Sequence, residues 1–327
     1  MFDTTRHAAR LLAASAAVLL LISCGGSEND TPAAVPLFST VAVIGASATD
    51  TGNRCGNQAD PLCFPVPPYA GASTASNGQL VNQVLAARYG SPMVASSAGG
   101  FNFAMGGAMT GVVPTDTVAQ TKPNLQLQTE ALLQRVGFQA NPQFLYIVDG
   151  SAFGNNITRV FALVTANPAL LAPTSTFTQD VVRQAATDIG SVITRLYAAG
   201  ARHVLLLNST NLGLHPIVPS TVKPLATGLA TGYNGALATQ VVPGLKASSP
   251  GLNIYYADVG ALSNEIAANP ASFGITNTAA PCYPFFTAPS APICATPGTY
   301  VFWDELHPSA AVQSFGAQRA IVAIGVH

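Results

Sequence analysis

The chain has 327 residues, of which 49% are hydrophobic and only 8% are charged. Its 13 basic and 14 acidic side chains nearly cancel, and the sequence contains no basic patch or run of like charge. This balance argues against nucleic acid as a partner. The length allows one large domain or two small ones and is enough to bury a sizeable core.

The first segment predicts export. An apolar stretch, residues 11–22, follows two arginines; it is too short to cross a bilayer comfortably and fits the core of a signal peptide. Residues 21–24, Leu-Ile-Ser-Cys, are similar to a bacterial lipoprotein processing box. Residues 1–23 are therefore expected to be removed and Cys24 to carry acyl chains. The alternative is ordinary signal cleavage beside a chance cysteine, which gives a secreted protein.

A linker follows the proposed lipid site. Residues 24–37 contain many small and polar side chains and are expected to form a flexible tether. The folded domain is then residues 38–327, held at a membrane of the bacterial cell envelope by its acyl chains. Nothing in the sequence indicates an oligomer, so a monomer is expected.

Within the domain, strand-like and helix-like segments alternate. The strand candidates are short, mostly apolar runs, as expected for strands buried on both faces, and they lie at residues 40–44, 143–148, 203–208 and 253–257. The helix candidates show apolar residues at helical spacing, most clearly in the third, and they lie at residues 78–89, 125–136, 178–199, 225–242 and 309–324. This alternation predicts an α/β fold, a three-layer α/β/α sandwich around a mostly parallel sheet. The long stretch 274–300 is expected to be irregular.

Four cysteines remain after Cys24, in two local groups. An even number of cysteines in an exported protein favours disulfides, and we expect local pairing of Cys55 with Cys63 and of Cys282 with Cys294. Two other pairings are possible. A zinc site is the alternative chemistry, but the sequence has no C-x-x-C pair and few histidines.

The first candidate for chemistry is a serine near the start of the domain. Residues 41–53 read V-A-V-I-G-A-S-A-T-D-T-G-N, a buried strand that breaks at Gly45 and presents Ser47 on the following turn. Functional sites of parallel α/β sheets form beyond the carboxyl ends of strands. On its own, such a segment is more often a plain polar turn.

The second candidate lies near the end of the chain. Residues 302–308 read F-W-D-E-L-H-P, which puts Asp304 and His307 three positions apart in front of a proline. A serine, a histidine and a carboxylate are the parts of a nucleophilic hydrolase. His203 and His215 are expected to be structural, because one begins a strand and the other lies in the loop after it.

Two further segments contain groups that could bind an anion. Residues 99–108 are rich in glycine, which lets the backbone approach a ligand closely, although a tight packing loop would also use glycine. Residues 148–156 follow a buried strand and contain Asn155 and Asn156, whose amides could donate to a developing oxyanion or simply cap a turn.

The order of these segments resembles the GDSL, or SGNH, family of esterases and lipases, over about residues 38–325. The resemblance implies Ser47 as nucleophile, Asp304 and His307 as its partners, and an oxyanion hole formed by the N–H groups of Ser47 and Gly107 and the amide of Asn155. It implies hydrolysis of an ester through an acyl-enzyme, with no metal and no organic cofactor.

The sequence departs from the family pattern at two positions. The first block usually reads G-D-S-L, but here Ala46 stands where the family has aspartate. The third block usually ends in Asn-Asp, but here it is Asn155-Asn156, which leaves Asn156 as the alternative donor. Two other functions stay open: acyl transfer to an acceptor other than water, and a catalytically silent surface lipoprotein.

Overall fold

The structure is a computed structural model that describes residues 37–56, 63–71 and 73–325. The expected signal peptide, Cys24 and the tether up to residue 36 lie outside the described residues. Four parallel strands form the central sheet, in the order β1-β2-β3-β4. They are β1 (Thr40–Ile44), β2 (Phe144–Asp149), β3 (His203–Leu207) and β4 (Asn253–Ala257).

Eight α-helices are described, and most of them surround the sheet. They are α1 (Val81–Arg88), α2 (Leu125–Arg135), α3 (Phe153–Ala166), α4 (Phe177–Ala198), α5 (Lys223–Ala236), α6 (Val242–Ser248), α7 (Val259–Ala268) and α8 (Ala310–Ile324). Because side chains alternate along a strand, each strand supplies both faces of the sheet. Ala42 and Ile44 pack with α2 to α6 in one core, whereas Val41 and Val43 pack with α1 and α8 in the other.

The expected three-layer α/β/α fold with a parallel sheet is confirmed. The strands are buried on both faces, and this accounts for the continuous apolar runs by which they were predicted. All four strands end at one edge of the sheet, so the loops after β1, β2 and β3 lie next to one another. This edge carries the residues that the sequence singled out.

One predicted helix is wrong in its extent. The segment 225–242 is not a single helix: α5 ends at Ala236, a π-helical turn covers Leu237–Val241, and α6 continues from there. Pro243 has no N–H group and cannot make the helical hydrogen bond four residues back, which favours an irregular turn before it.

Two helices lie wholly outside the predicted helical segments, namely α3 and α7, and α6 overlaps a predicted segment only at Val242. The α3 segment contains glycine, two asparagines and β-branched residues, which have low helix propensity in isolation. Its helix is stabilised instead by tertiary packing, since Phe153, Ile157 and Val160 are buried in the core under the sheet.

The cysteines pair locally, as expected. Disulfides join Cys55 to Cys63 and Cys282 to Cys294. The long stretch after residue 274 is mostly irregular but contains β5 (Asn277–Pro281), which pairs with β6 (Tyr300–Phe302) in a second small sheet. None of the described helices has the length and apolar character needed to cross a membrane.

Candidate active site

Ser47 lies on a tight turn directly after β1. Gly45 has no room for a side chain, because a Cβ there would come within 2.6 Å of the Cβ of Asp149. The turn closes with a hydrogen bond of 3.1 Å from the N–H of Thr49 to the carbonyl of Ala46. The hydroxyl of Ser47 is thereby held at the carboxyl edge of the sheet, half-buried and facing the loop before α8.

Asp304 and His307 come together through a turn of the backbone. The Oδ1 atom of Asp304 accepts hydrogen bonds from the N–H groups of Leu306, at 2.8 Å, and of His307, at 2.7 Å. The i, i+3 spacing therefore brings the two side chains face to face, with 2.8 Å between Asp304 Oδ2 and His307 Nδ1. Both side chains are buried.

A hydrogen-bonded chain connects the three residues. His307 Nε2 lies 3.0 Å from Ser47 Oγ, across 260 positions of sequence. An ionised carboxylate can only accept, so the neutral imidazole carries its proton on Nδ1 and turns the lone pair of Nε2 toward the serine. This arrangement can remove a proton from the hydroxyl of Ser47.

The charge state of Asp304 supports this proton assignment. Burial by itself raises the pKa of Asp304, but its electrostatic interaction and hydrogen bond with His307 oppose this rise. The hydroxyl of Tyr69 and the N–H of Leu306 also donate to the carboxylate, and together these groups hold the pKa of Asp304 below its usual value. The carboxylate is ionised at neutral pH.

Gly107 and Asn155 lie beside Ser47 in one cavity. The backbone of Gly107 has φ +88°, a left-handed conformation that favours glycine. Among the hydrogen bonds of the described residues, none uses the N–H of Ser47 or of Gly107. The Nδ2 group of Asn155 donates to the carbonyl of Ala108 at 2.8 Å, which fixes the amide and leaves its second hydrogen for another acceptor.

Asn156 points elsewhere. It is 2% exposed, its Oδ1 accepts from the N–H of Thr110 at 3.0 Å, and its Nδ2 donates to the hydroxyl of Thr110. Its Oδ1 and one hydrogen of its Nδ2 hold the glycine-rich loop from within the core. Of the two asparagines, Asn155 is the one that lines the cavity containing Ser47.

Ala46 stands where the family has an aspartate, but a carboxylate from the end of β2, that of Asp149, contacts the same turn. The Oδ2 atom of Asp149 accepts from the hydroxyl of Thr49 at 2.9 Å and from the N–H of Ala46 at 3.4 Å. Its Oδ1 accepts from the N–H of Ser151 at 3.0 Å. A buried carboxylate from the neighbouring strand therefore ties the serine turn to the loop that leads to Asn155.

Several neighbours of the site escaped prediction. Tyr69 contacts Asp304, Phe64 packs edge-on against His307 at a ring distance of 5.5 Å, and Phe286 lines the cavity. They lie in irregular segments without periodicity, so no sequence signal marked them. Glu305 stood within the final motif but received no role there.

Glu305 holds the loop that carries Phe286. Its carboxylate accepts hydrogen bonds from the N–H of Phe286 at 3.0 Å, and from the N–H at 2.8 Å and the hydroxyl at 2.5 Å of Thr287. The turn that contains Asp304 and His307 thus also positions a wall of the cavity, because Glu305 lies between them.

The remaining described histidines do not join this arrangement. His203 begins β3 and stacks on Tyr255, whereas His215 is buried and its Nε2 lies 3.0 Å from the hydroxyl of Thr210. Burial lowers the pKa of His215 to about 4. Within the described residues, no group of three or more histidine, cysteine, aspartate or glutamate side chains is placed to hold a metal ion.

Fold and site together define a class of protein: a parallel α/β hydrolase with serine, histidine and carboxylate aligned at the carboxyl edge of its sheet. The family model of the GDSL-like lipase/acylhydrolases matches residues 41–320 of the chain. The chain belongs to this family and is a carboxylic ester hydrolase.

Individual relatives extend over almost the whole chain. It is 25% identical over 342 residues to the GDSL esterase/lipase At2g31550 of Arabidopsis thaliana, and the match covers 92% of each chain. It is 24% identical over 337 residues to the GDSL esterase/lipase At2g31540 of the same plant, which covers 90% of this chain and 91% of the relative. A shorter match, 34% identical over 124 residues, links it to the GDSL esterase/lipase At5g63170, also from that plant.

Proposed function

We propose that the protein hydrolyses carboxylic esters through Ser47, His307 and Asp304. The observation that carries this proposal is the continuous hydrogen-bonded chain from Ser47 Oγ through both ring nitrogens of His307 to the carboxylate of Asp304, with distances of 3.0 and 2.8 Å. Its members come from opposite ends of the sequence, and they meet at the edge of the sheet where α/β proteins bind ligands.

The reaction proceeds in two halves. His307 takes the proton of Ser47 as Oγ attacks the ester carbonyl, and Asp304 stabilises the imidazolium that forms. The N–H groups of Ser47 and Gly107 and the free amide hydrogen of Asn155 stabilise the oxyanion. His307 then passes its proton to the leaving alcohol, which leaves an acyl group on Ser47. Water, activated by the same imidazole, releases the acid and restores the serine.

Two other functions were open from the sequence. The complete hydrogen-bonded chain speaks against a catalytically silent protein, because a silent protein has no need to keep buried Asp304 ionised beside His307. Transfer of the acyl group to an alcohol other than water would use the same residues, and adding an acceptor alcohol and analysing the products separates transfer from hydrolysis.

The proposal includes a location. We propose that the domain is exported and held at the bacterial cell envelope through acyl chains on Cys24, which is supported by the basic start, the apolar stretch and the Leu-Ile-Ser-Cys sequence before it. Mass analysis of the native protein should find lipid on an amino-terminal Cys24. An unmodified Cys24, or a mature chain that starts elsewhere, would contradict the anchor.

The decisive experiment replaces the nucleophile. Ser47→Ala should lower ester hydrolysis by about 10⁴-fold or more, as removal of a serine nucleophile does in other hydrolases, with unchanged thermal unfolding. A fluorophosphonate should label Ser47 and no other serine. Ser191→Ala, at an exposed position on α4, is the matched control and should keep full activity. Hydrolysis that persists in Ser47→Ala would refute the assignment.

A further inference from the structure

The cavity that contains Ser47 has an apolar wall. Its volume is about 300 Å³. Phe161 on α3, residues 217–219, Phe286 and Leu306 form much of the lining, and Arg54 is a charged residue in it. Phe161 packs against the main core, whereas Ile217 and Phe286 are 41% and 36% exposed. Of these three side chains, Phe161 is the one anchored to the core, where it is half-buried, whereas Ile217 and Phe286 meet solvent.

A second cavity adjoins the first along α3 and has charged side chains in its lining. It has a volume of about 350 Å³ and shares Gly107, Asn155 and Thr158 with the first. Arg159 lines it and forms two hydrogen bonds of 2.6 and 2.7 Å with Asp116. On α3, positions 155 and 158 line both cavities, position 161 lines only the first, and positions 159 and 162 line only the second. This helical spacing places Phe161 toward one cavity and Arg159 toward the other. A hydrocarbon chain in the second cavity would desolvate the ion pair at a cost.

We propose that the apolar cavity binds the acyl chain of an aliphatic ester of medium length, and that Phe161 sets the length limit. This inference rests on the proposed function. The acyl group stays bonded to Ser47 between the two halves of the reaction, so a cavity that contains Ser47 contacts this group in both halves. The volume is at the lower end of the range for ligand cavities, and the ring of Phe161, which packs against the core, forms part of the wall.

The test varies one part of the substrate at a time. With p-nitrophenyl esters from acetate to palmitate, kcat/KM should rise about two- to four-fold per methylene, the gain expected from burying each one, and then fall beyond a limiting length. Phe161→Ala should move this limit to longer chains, and Phe161→Trp should move it to shorter ones. Phe273→Ala removes a half-buried ring outside both cavities and should leave the limit unchanged. Alkyl acetates of increasing alcohol length should show no comparable rise.

Each contrary result has a separate meaning. A profile that is flat from acetate to octanoate, a limit that neither Phe161 variant moves, or a rise that follows the alcohol instead of the acid would overturn the acyl cavity. If Ser47→Ala abolishes hydrolysis in the same assays, the proposed function survives such a result. Absence of hydrolysis with every ester, or hydrolysis that survives Ser47→Ala, would instead refute the function itself.

A second inference comes from an independent contact. Tyr69 is 2% exposed, and its hydroxyl donates to Asp304 Oδ2 at 2.5 Å, the same oxygen that lies 2.8 Å from His307 Nδ1. The ring of Tyr69 stacks on Phe64 at 4.3 Å and meets Trp303 edge-on at 5.8 Å. The structure assigns Tyr69 as a positioning residue. Its hydrogen bond orients the carboxylate of Asp304 and stabilises part of the negative charge on that carboxylate.

The surroundings keep the phenol a neutral donor. Burial, followed by the charge of Asp304, raises the pKa of Tyr69 far above its ordinary value. The other titratable or charged groups around this contact are His307, Glu305 and Tyr283, with His215 and Lys223 behind them. Apart from His307, none of these groups donates to Asp304 Oδ2, so loss of the phenol would leave His307 as the one donor to that oxygen among them.

Tyr69→Phe tests the assignment. It should lower kcat about ten-fold, within the range for a lost hydrogen bond to a charged group, with KM unchanged because Tyr69 does not line the cavity. The acid limb of the pH profile should move to higher pH, because the undivided charge of Asp304 holds protonated His307 more strongly. Tyr283→Phe removes a hydroxyl from the same aromatic cluster, where it donates to the carbonyl of Pro289, and should leave the profile in place. An unmoved acid limb in Tyr69→Phe, or an equal shift in Tyr283→Phe, would overturn the assignment.

Discussion

At the scale of single residues, Ala46 makes the serine turn unusual. It is 2% exposed, belongs to the apolar core cluster, and its N–H faces the buried carboxylate of Asp149. The position therefore offers no solvent or partner for a second carboxylate. The stabilising contacts of the turn come from a neighbouring strand instead of from the residue beside the nucleophile.

Restoring the family residue should consequently harm this protein. Ala46→Asp places a carboxylate in an apolar site beside Asp149, and the unfolding free energy should drop by about 2–4 kcal/mol at neutral pH. Denaturant titration of the variant, with Ala46→Ser as a control of similar volume, measures the loss. Unchanged stability of Ala46→Asp would mean that the carboxylate finds a partner that the structure does not reveal.

His215 carries a prediction about pH and stability. Its folded-state pKa, about 4, lies below the ordinary 6.5. Its contribution to stability is therefore fully present above about pH 6.5 and is lost as the pH falls through about 4. The unfolding free energy should decrease by roughly 3 kcal/mol from this group alone over that window.

Urea titrations at about pH 7, 5.5 and 4 would measure this decrease. His215→Gln should flatten the dependence, because glutamine gains no proton on unfolding. His203→Gln is the control and should keep most of the slope, since His203 is only half-buried. An equally steep slope in both variants would assign the acid sensitivity to other groups.

At the scale of elements, the site depends on loops that are fixed at both ends. The loop from Cys282 to Cys294 carries Phe286 and is closed by a disulfide between residues 12 positions apart. Glu305 fixes the same loop through three hydrogen bonds to Phe286 and Thr287. One covalent and one electrostatic restraint thus act on the cavity wall.

Removing the covalent restraint should affect stability more than activity. Cys282→Ser/Cys294→Ser should lower the unfolding free energy by about 2–3 kcal/mol through loop closure. Because Glu305 still holds Phe286, kcat/KM should stay near that of the unaltered protein at low temperature. Thermal unfolding and ester assays of the double variant check both statements. An unchanged Tm would show that the disulfide adds no stability beyond that of the hydrogen bonds from Glu305.

At the scale of the whole molecule, every residue of the proposed mechanism lies within the compact unit formed by residues 36–327. A chain that begins at residue 36 should therefore keep kcat/KM within about two-fold on a soluble ester, since a domain with its own core folds by itself. Assays and unfolding curves of the two chains give the comparison. A shortened chain that folds but loses activity on soluble substrate would assign the first segment a part in catalysis. The protein is expected to be a monomer, and the molecular mass from analytical ultracentrifugation would test this prediction.

The sequence by itself determined the layered fold and marked the residues on which the proposed mechanism rests. Strands buried on both faces are continuous apolar runs, so all four central strands were predictable, and polar residues just beyond such strands marked the serine turn. The spacing of Asp304 and His307 is a local property of one turn, and local geometry can be inferred from neighbouring positions. The helix α3 was missed although Phe153, Ile157 and Val160 show helical spacing, because the glycine and two asparagines of its first turn favour a turn after β2.

Only the tertiary structure decided what surrounds those residues. The contact of Tyr69 with Asp304 spans 235 positions, and Glu305 holds Phe286 through a loop without periodicity. The proposal of Asn155 over Asn156 rests on tertiary position, because Asn156 is buried against Thr110 and Asn155 lines the cavity of Ser47. Such contacts depend on where distant segments meet in space. Backbone propensity and apolar spacing describe only near neighbours, so the sequence contains no local signal for them.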